Sequence, residues 1–232
     1  MFIDRPAATR GHFNFGWLDT FHSFSFGEYV DPQWMGFRHL RVLNEDRITP
    51  EAGFPTHGHR DMEIVTYVLE GALAHRDSLG SEEVLRPGEV QRMTAGTGIR
   101  HSEYNGAPGT ATHLLQIWVL PEQAGLTPSY EQKEFPLAER RNRWRPVVAP
   151  DGREGALRIN QDAIFWSALA DPGTTLALPQ GPERFAWLQV CRGTIRLGER
   201  VLVAGDGVGF TQEPDLAVVA ESDAELLLID MG

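Results

Sequence analysis

The sequence predicts an all-β protein built from two similar units that follow each other along the chain. Short apolar runs broken by glycine dominate it, whereas helical periodicity is weak. The runs that read most clearly as strands are Glu63–Leu69, Glu89–Thr94, Leu114–Leu120, Trp187–Cys191, Val201–Val203 and Glu225–Ile229. The best helix candidate is the charged segment 129–141, which Pro136 interrupts, so we expect helices only as short connections.

The two units are visible as an internal repeat. The stretch VTYVLEGALAH at 65–75 aligns with WLQVCRGTIRL at 187–197, with a glycine at the same place in each. Further on, SEEVLRPGEVQRMT at 81–94 aligns with GERVLVAGDGVGFT at 198–211. Because one such match arises by chance more easily than two in the same order, the pattern indicates a duplicated β unit.

A proline- and glycine-rich segment separates the two copies. The chain of 232 residues is long enough for two small domains. The segment RWRPVVAPDGREG at 143–155 has the composition of a linker or turn. We therefore expect an N-terminal domain at 1–142 and a C-terminal domain at 143–232.

The composition excludes several classes of function. Lys and Arg number 21 against 32 Asp and Glu, a net charge of −11, which disfavours binding to nucleic acid or to an anionic membrane. We find no apolar run near the roughly 20 residues of a membrane helix. Charged residues interrupt the start of the chain, so it does not read as a secretory leader, and a single cysteine excludes an internal disulfide. We expect a cytoplasmic protein with a small-molecule partner.

Two pairs of residues have the spacing of metal ligands on strands. His57 and His59 precede a strongly β-forming run, and His101 and Glu103 repeat the same spacing. In a strand, residues i and i+2 point to the same face, about 6–7 Å apart. Two such pairs on neighbouring strands would place three imidazoles and one carboxylate around one point. That donor set suits a first-row transition metal.

All eight histidines lie in the first half of the chain, so the second copy lacks this set. The repeat aligns His57 and His59 near Pro179 and Gly181, and His101 and Glu103 near Val218 and Ala220. None of these side chains binds a transition metal, which predicts one metal per chain, in the first copy. Elsewhere, we interpret His75 and His113 as hydrogen-bonded structural residues and the aromatic segment 13–26 chiefly as packing.

Glu63 is the alternative carboxylate. In an extended chain it lies roughly 13 Å beyond His59, whereas Glu103 is the next residue on the same face as His101. We therefore prefer Glu103 as the ligand. Two interpretations of Glu63 stay open: a group that orients a ligand imidazole, or a paired surface carboxylate.

These residues resemble those of a known family. His57, His59 and Glu63, followed by Pro87, Gly88 and His101, are similar to the two motifs of the cupin superfamily. The stretches SFSFGEYVDP, LRVLNEDR, THGHRDMEIVTYVLEGALAHRDS and MTAGTGIRHSEYN resemble the pirins, here of the bacterial pirin-like kind. The resemblance implies a bicupin of two stacked, jelly-roll-like β-barrels. It also implies one metal in the N-terminal barrel, held by the residues matching His57, His59, His101 and Glu103.

The resemblance also implies a function. It points to a quercetin 2,3-dioxygenase, in which O₂ opens the ring of a flavonol and carbon monoxide is released. The metal would be Fe(II), with Mn, Co, Ni, Cu or Zn as alternatives, and Glu103 would be the catalytic group that accepts the 3-hydroxyl proton. The substrate would be a small flat aromatic molecule. The alternative is a non-enzymatic, metal- or redox-responsive regulator that binds a protein partner.

Overall fold

The computed structural model describes residues 2–181, 183–211 and 216–232. It divides the chain into two compact units. The first unit contains Gly11–Glu134 and Ile159–Gln161, and the second contains Met1–Arg10, Phe135–Arg158 and Asp162–Gly232.

Strands dominate both units, which confirms the predicted all-β class. In chain order they are β1 (Phe2–Arg5), β2 (Gly11–Asn14), β3 (Leu18–His22), β4 (Leu40–Ile48), β5 (Gly53–His59), β6 (Glu63–Glu70), β7 (Leu73–Asp77), β8 (Glu82–Leu85), β9 (Glu89–Thr94), β10 (Ile99–Asn105), β11 (Thr112–Val119), β12 (Ser129–Glu134), β13 (Arg145–Ala149), β14 (Leu157–Arg158), β15 (Ala163–Ala170), β16 (Thr175–Ala177), β17 (Phe185–Arg192), β18 (Thr194–Leu197), β19 (Arg200–Val203), β20 (Gly207–Thr211), β21 (Ala217–Ala220) and β22 (Ala224–Met231). The described helices are short: α1 (Leu137–Arg140) and two 3₁₀ turns at Ala7–Thr9 and Arg153–Gly155.

Each unit is made of one large and one small sheet. In the first unit the seven-stranded sheet has the order β12-β9-β6-β11-β4-β3-β2, and the four-stranded sheet has the order β5-β10-β7-β8. In the second unit the corresponding orders are β1-β20-β17-β22-β15-β13-β14 and β16-β21-β18-β19. Among these pairings, β13 with β14 is parallel and the rest are antiparallel.

The matching sheet orders confirm the internal repeat. The turn that connects β6 of the large sheet to β7 of the small sheet corresponds to the turn between β17 and β18. Each contains a glycine with positive φ, 75° at Gly71 and 79° at Gly193. A side chain at such a φ is strained, so glycine is favoured at both turns. The small sheets correspond strand by strand, which places β16 in the position of β5 and β21 in that of β10.

The unit boundaries differ from the predicted domains 1–142 and 143–232 in three places, one of which is that Ile159–Gln161 belongs to the first unit. Phe2–Arg5 pairs with β20, which brings the N-terminal strand into the second unit. The second unit also takes the chain from Phe135 onward, so the predicted boundary lies inside it. Linker composition marked the proline- and glycine-rich turn, but long-range strand pairing determines which residues belong together.

The helix candidate at 129–141 is only partly helical. Ser129–Glu134 is a strand that pairs antiparallel with β9, and the helix α1 begins after Pro136 and ends at Arg140. Pairing with β9 overrides the charged, helix-like composition of the first part. Proline fits the start of a helix because its missing N–H would have no partner there.

The interiors of the two units differ in polarity. In the second unit, buried apolar side chains from both sheets form one continuous cluster that includes Leu188, Leu197, Val208, Val218 and Leu228. The first unit has smaller apolar clusters instead, such as the one that joins Leu73 of the small sheet to Val68 and Leu114 of the large sheet. No helix in the described ranges is long and apolar enough to cross a membrane.

Candidate metal centre

Three histidines converge on one side of the small sheet of the first unit. His57 and His59 lie on β5 and His101 lies opposite His57 on the neighbouring β10. Nitrogen atoms of the three rings lie within 4.8 Å of one another. The distance between His57 Nε2 and His101 Nε2 is 3.1 Å. The convergence predicted from the spacing is therefore present for these three residues.

Glu103 lies beside this group, through His101. It belongs to a second group of potential ligands, with His75 and His101, and all three of these residues are buried. Glu103 Oε1 is 4.0 Å from Nδ1 of both His75 and His101. The His101 ring therefore belongs to both groups of potential ligands. Its Nε2 approaches His57, and its Nδ1 is 3.5 Å from His75 Nδ1.

Two of the three histidines, His59 and His101, have lowered pKa values, which favour the neutral imidazole that metal binding requires. Burial lowers the pKa of His59 to about 4, and the neighbouring His101 and His57 act in the same direction. Burial also lowers the pKa of His101 to about 4, despite the opposing charge of Glu103. His57 Nδ1 lies 2.8 Å from the Pro55 carbonyl, a contact that favours a proton on Nδ1 and leaves Nε2 free. Neutral imidazoles of this kind bind divalent transition metals.

The Glu103 carboxylate has one satisfied and one unsatisfied oxygen. Oε2 accepts a hydrogen bond of 2.8 Å from Gln116 Nε2, whereas Oε1 has no hydrogen-bond partner in the described part of the chain. Burial acts to raise the pKa of Glu103, but the His75 and His101 imidazoles hold it below its usual range. A buried carboxylate with a free oxygen next to neutral imidazoles fits a divalent transition metal.

His75 has a larger part in this site than the sequence predicted. Its Nε2 is 3.1 Å from Asp77 Oδ2, which agrees with a hydrogen-bonded structural residue. The His75 ring also stacks on the ring of Tyr130, with centroids 4.6 Å apart, and its Nδ1 points at His101 and Glu103. Burial lowers the pKa of His75, but Glu103 and Asp77 together raise it above the ordinary value. The available signal was the i, i+2 spacing of His75 and Asp77, which repeats that of the other pairs.

Glu63 is in neither group of potential ligands among the described residues. It is fully buried, and its oxygens accept hydrogen bonds of 3.1 Å from Thr94 Oγ1 and from Asn160 Nδ2. Burial raises its pKa. The interpretation of Glu63 as a surface carboxylate is therefore wrong, and its hydrogen-bond partners are a hydroxyl and an amide, not an imidazole.

Aromatic side chains border the three histidines. Trp118 packs edge-on against His59 with centroids 4.9 Å apart, and Phe26 packs edge-on against Trp118 at 5.3 Å. Phe54 lies 6.4 Å from His57. The segment 13–26, interpreted from the sequence chiefly as packing, therefore reaches the metal centre through Phe26.

The second unit has apolar residues where the first has potential ligands. Val218 lies opposite Leu197 in the pairing of β21 with β18, as Glu103 lies opposite His75 in the pairing of β10 with β7. Val218 thus corresponds to Glu103, two residues from the position predicted by the alignment, because the second copy is shorter before β21. Both groups of potential ligands found in the described residues lie in the first unit.

Comparison with known proteins places this geometry in context. Residues 5–119 match the family model described as Pirin, and residues 146–231 match that described as Quercetinase C-terminal cupin domain. A protein of Escherichia coli named Quercetin 2,3-dioxygenase is 44% identical over 98% of this chain and 97% of its own length. The Pirin-like protein of Caulobacter vibrioides is 40% identical over 98% of this chain and 99% of its own length.

The fold is likewise similar to a solved structure. The crystal structure of the bacterial pirin YhhW from Escherichia coli in complex with nickel(II) matches with a TM-score of 0.94 and 43% identity. That match covers 100% of this chain and 99% of that one. These likenesses confirm the predicted two-domain cupin fold.

Proposed function

Because the chain belongs to the pirin family, we propose that it is a metal-dependent dioxygenase that opens the ring of flavonols such as quercetin with O₂. The main observation behind the proposal is that potential metal ligands and aromatic side chains lie together in the first unit. The imidazoles of His57, His59 and His101 lie beside an ionised carboxylate with a free oxygen, and aromatic rings border them. The name of the Escherichia coli relative supports this reaction.

One divalent metal ion would be held in the first unit by His57, His59, His101 and Glu103. Fe(II) is the ion we propose, with Mn, Co, Ni, Cu and Zn as alternatives, and a related structure contains nickel. A metal in such a site supplies open coordination positions and the redox capacity that O₂ chemistry needs. The apolar positions of the second unit would hold none.

Glu103 has two tasks in this proposal. It supplies negative charge to the site, and its carboxylate would accept the proton of the flavonol 3-hydroxyl group when the substrate binds. Its depressed pKa keeps it ionised at neutral pH, as a proton acceptor must be. The hydrogen bond from Gln116 to Oε2 holds the group in place while Oε1 remains available.

The aromatic border provides a surface for a flat substrate. The ring of Trp118 lies next to His59, and that of Phe26 lies next to Trp118, so a flavonol could pack against them in stacked or edge-on arrangements. Such packing would exclude water from the reacting carbon atoms and fix the substrate relative to the imidazoles. The chain would thus contribute positioning and a dry site.

The test is an aerobic assay of quercetin consumption. Protein purified without chelators would be analysed for metal and then assayed after loading with Fe, Mn, Co, Ni or Cu. We expect loss of flavonol absorbance and release of carbon monoxide that depend on the metal. Metal-loaded protein that leaves quercetin intact with every ion would overturn the proposal and favour the alternative of a regulator with a protein partner.

A further inference from the structure

A polar layer crosses the interior of the first unit between two apolar layers. Thr66 on β6 lies opposite Gln91 on β9 and opposite Gln116 on β11. On one side of this layer, Ile64 and Met93 belong to an apolar cluster, and on the other side Val68 and Leu114 belong to another. Thr66 and Gln91 are completely buried, so their polar atoms must be satisfied by one another or by a neighbour.

The hydrogen bonds of this layer run in one direction and end on Glu103. Gln91 Nε2 donates to Thr66 Oγ1 at 3.5 Å, and the Thr66 hydroxyl donates to Gln116 Oε1 at 2.9 Å. Gln116 Nε2 then donates to Glu103 Oε2 at 2.8 Å. An ionised carboxylate only accepts hydrogen bonds, so it is a suitable end for a chain of donors.

The direction of these hydrogen bonds determines the orientation of the Gln116 amide group. Because Thr66 donates to its oxygen, the NH₂ group of Gln116 is left to face Glu103. A reversed amide would bring its oxygen against a carboxylate oxygen and lose the hydrogen bond to Glu103, because an ionised carboxylate has no proton to donate. Oε2 of Glu103 is therefore engaged, while Oε1 stays free beside His75 and His101.

We propose that Gln116 is a positioning residue that binds Oε2 of Glu103 and so presents Oε1 alone to the metal. This inference rests on the metal site of the proposed function but not on the reaction catalysed there. Gln116 acts through Glu103, and Thr66 acts through Gln116 by fixing its amide.

The second unit supports this role, because it has the same strands without the polar layer. The residues opposite one another at the corresponding positions are Leu188, Val208 and Leu228. All three are fully buried within its apolar cluster. The fold therefore does not require Thr66, Gln91 and Gln116, and the polar layer is present in the unit that contains Glu103.

The test uses Gln116→Leu, which introduces the residue of the second unit, and Gln116→Met, which keeps the length of the side chain without its donor. We expect Ni²⁺ affinity, measured by isothermal titration calorimetry, to fall about 10–100-fold in both, the usual effect of removing a partner of a metal ligand. The visible spectrum of bound Co²⁺ should also change, because Glu103 loses its fixed orientation. Thr66→Val should change both readouts in the same direction by less.

Gln189→Leu is the matched control, since Gln189 is a buried glutamine of the second unit that bonds Trp187. It should leave Ni²⁺ affinity and the Co²⁺ spectrum unchanged whatever it does to stability. Unchanged Ni²⁺ affinity and an unchanged Co²⁺ spectrum in folded Gln116→Leu or Gln116→Met would overturn the inference. Should Gln116→Leu fail to fold, Gln116→Met decides. Absence of flavonol turnover in Ni²⁺-binding protein would count against the proposed function alone.

Discussion

The two units have the same order of strands, yet they fill the space between their sheets in different ways. In the second unit, that space contains a continuous cluster of aliphatic side chains. In the first unit it contains imidazoles, a carboxylate and amides between smaller apolar clusters. The second unit has the same strand order around this aliphatic cluster, so the fold does not require the polar residues that the first unit has in that space.

The difference can be followed position by position. Leu216 lies two residues before Val218, as His101 lies two residues before Glu103, so Leu216 corresponds to His101. The backbone N–H of Leu178 donates to the carbonyl of Leu216, which places Leu178 opposite it, in the position of His57. The matched positions are His57 and Leu178, His75 and Leu197, His101 and Leu216, Glu103 and Val218, and Gln116 and Leu228. At each of these five positions, a polar residue of the first unit is replaced by a leucine or a valine in the second.

Burying several acidic residues in the interior of the first unit costs electrostatic free energy. Asp46, on β4, is buried, and burial raises its pKa to about 7, with Glu103 and Glu45 acting in the same direction and the Thr20 hydroxyl against it. Strand pairing gives Ala168 as its counterpart in the second unit. A bound cation would offset part of this accumulation of negative charge around Glu103.

The largest effect on metal binding is expected from replacing His101 by leucine, the residue at the corresponding position of the second unit. His101→Leu removes the ring that belongs to both groups of potential ligands, so Ni²⁺ affinity should fall by more than the roughly 10–100-fold that loss of an outer partner causes. Equilibrium dialysis against Ni²⁺ measures this. His12→Leu, at an exposed histidine paired with Asp19, is the control. Full nickel occupancy in dialysed His101→Leu would refute the assignment.

The next largest effect concerns the two glutamates. Glu103→Gln removes the charge of the carboxylate beside His101 and should greatly lower metal content and, with it, any flavonol turnover. Glu63→Gln alters a residue bonded to Thr94 and Asn160, and metal should still be recovered at high occupancy. Metal analysis of the two purified variants decides between them. The opposite result, with Glu63→Gln empty and Glu103→Gln loaded, would transfer the ligand role to Glu63.

Much of this comparison could be predicted from the sequence, because it depends on local patterns. The glycines at positions 71 and 193 and the apolar runs around them indicate a repeated unit of two strands joined by a tight turn. The i, i+2 spacing of His57 and His59 indicates that both side chains lie on the same face of one strand. These features depend on the geometry of a single strand or turn, which neighbouring residues determine.

The rest depends on which strands are neighbours, and a single sequence does not contain that information directly. Gln116 follows Glu103 by 13 residues but lies in the other sheet of the unit, so it becomes a partner only because β11 faces the small sheet. The same applies to His75, which meets Glu103 through the pairing of β7 with β10. The strand at Ser129–Glu134 and the N-terminal strand likewise depend on distant partners, β9 and β20.

A smaller effect is expected from the reverse exchange, in which the second unit receives a carboxylate. Val218→Glu would bury a carboxylate in the apolar cluster, where no imidazole or amide of the described residues corresponds to those that surround Glu103. We expect the free energy of unfolding to fall by roughly 3–5 kcal/mol, as for an uncompensated buried charge, and metal content to stay unchanged. Urea unfolding followed by circular dichroism measures the loss. A variant as stable as the parent chain would show that this interior tolerates charge.

The smallest expected effect is that of metal removal, and it should differ between the units. A ligand at 100 times its Kd stabilises a folded protein by about 2.7 kcal/mol, so chelation should lower the Tm without abolishing cooperative unfolding. The apolar clusters of both units remain in the apo protein, unlike in a zinc finger, which is unfolded without its metal. Hydrogen exchange of the apo protein should therefore accelerate at β5 and β10, which carry the proposed ligands, and stay slow at β17 and β22 of the second unit. Equal acceleration in both units would mean that the metal stabilises the whole chain and that the second unit does not hold its structure independently of the site.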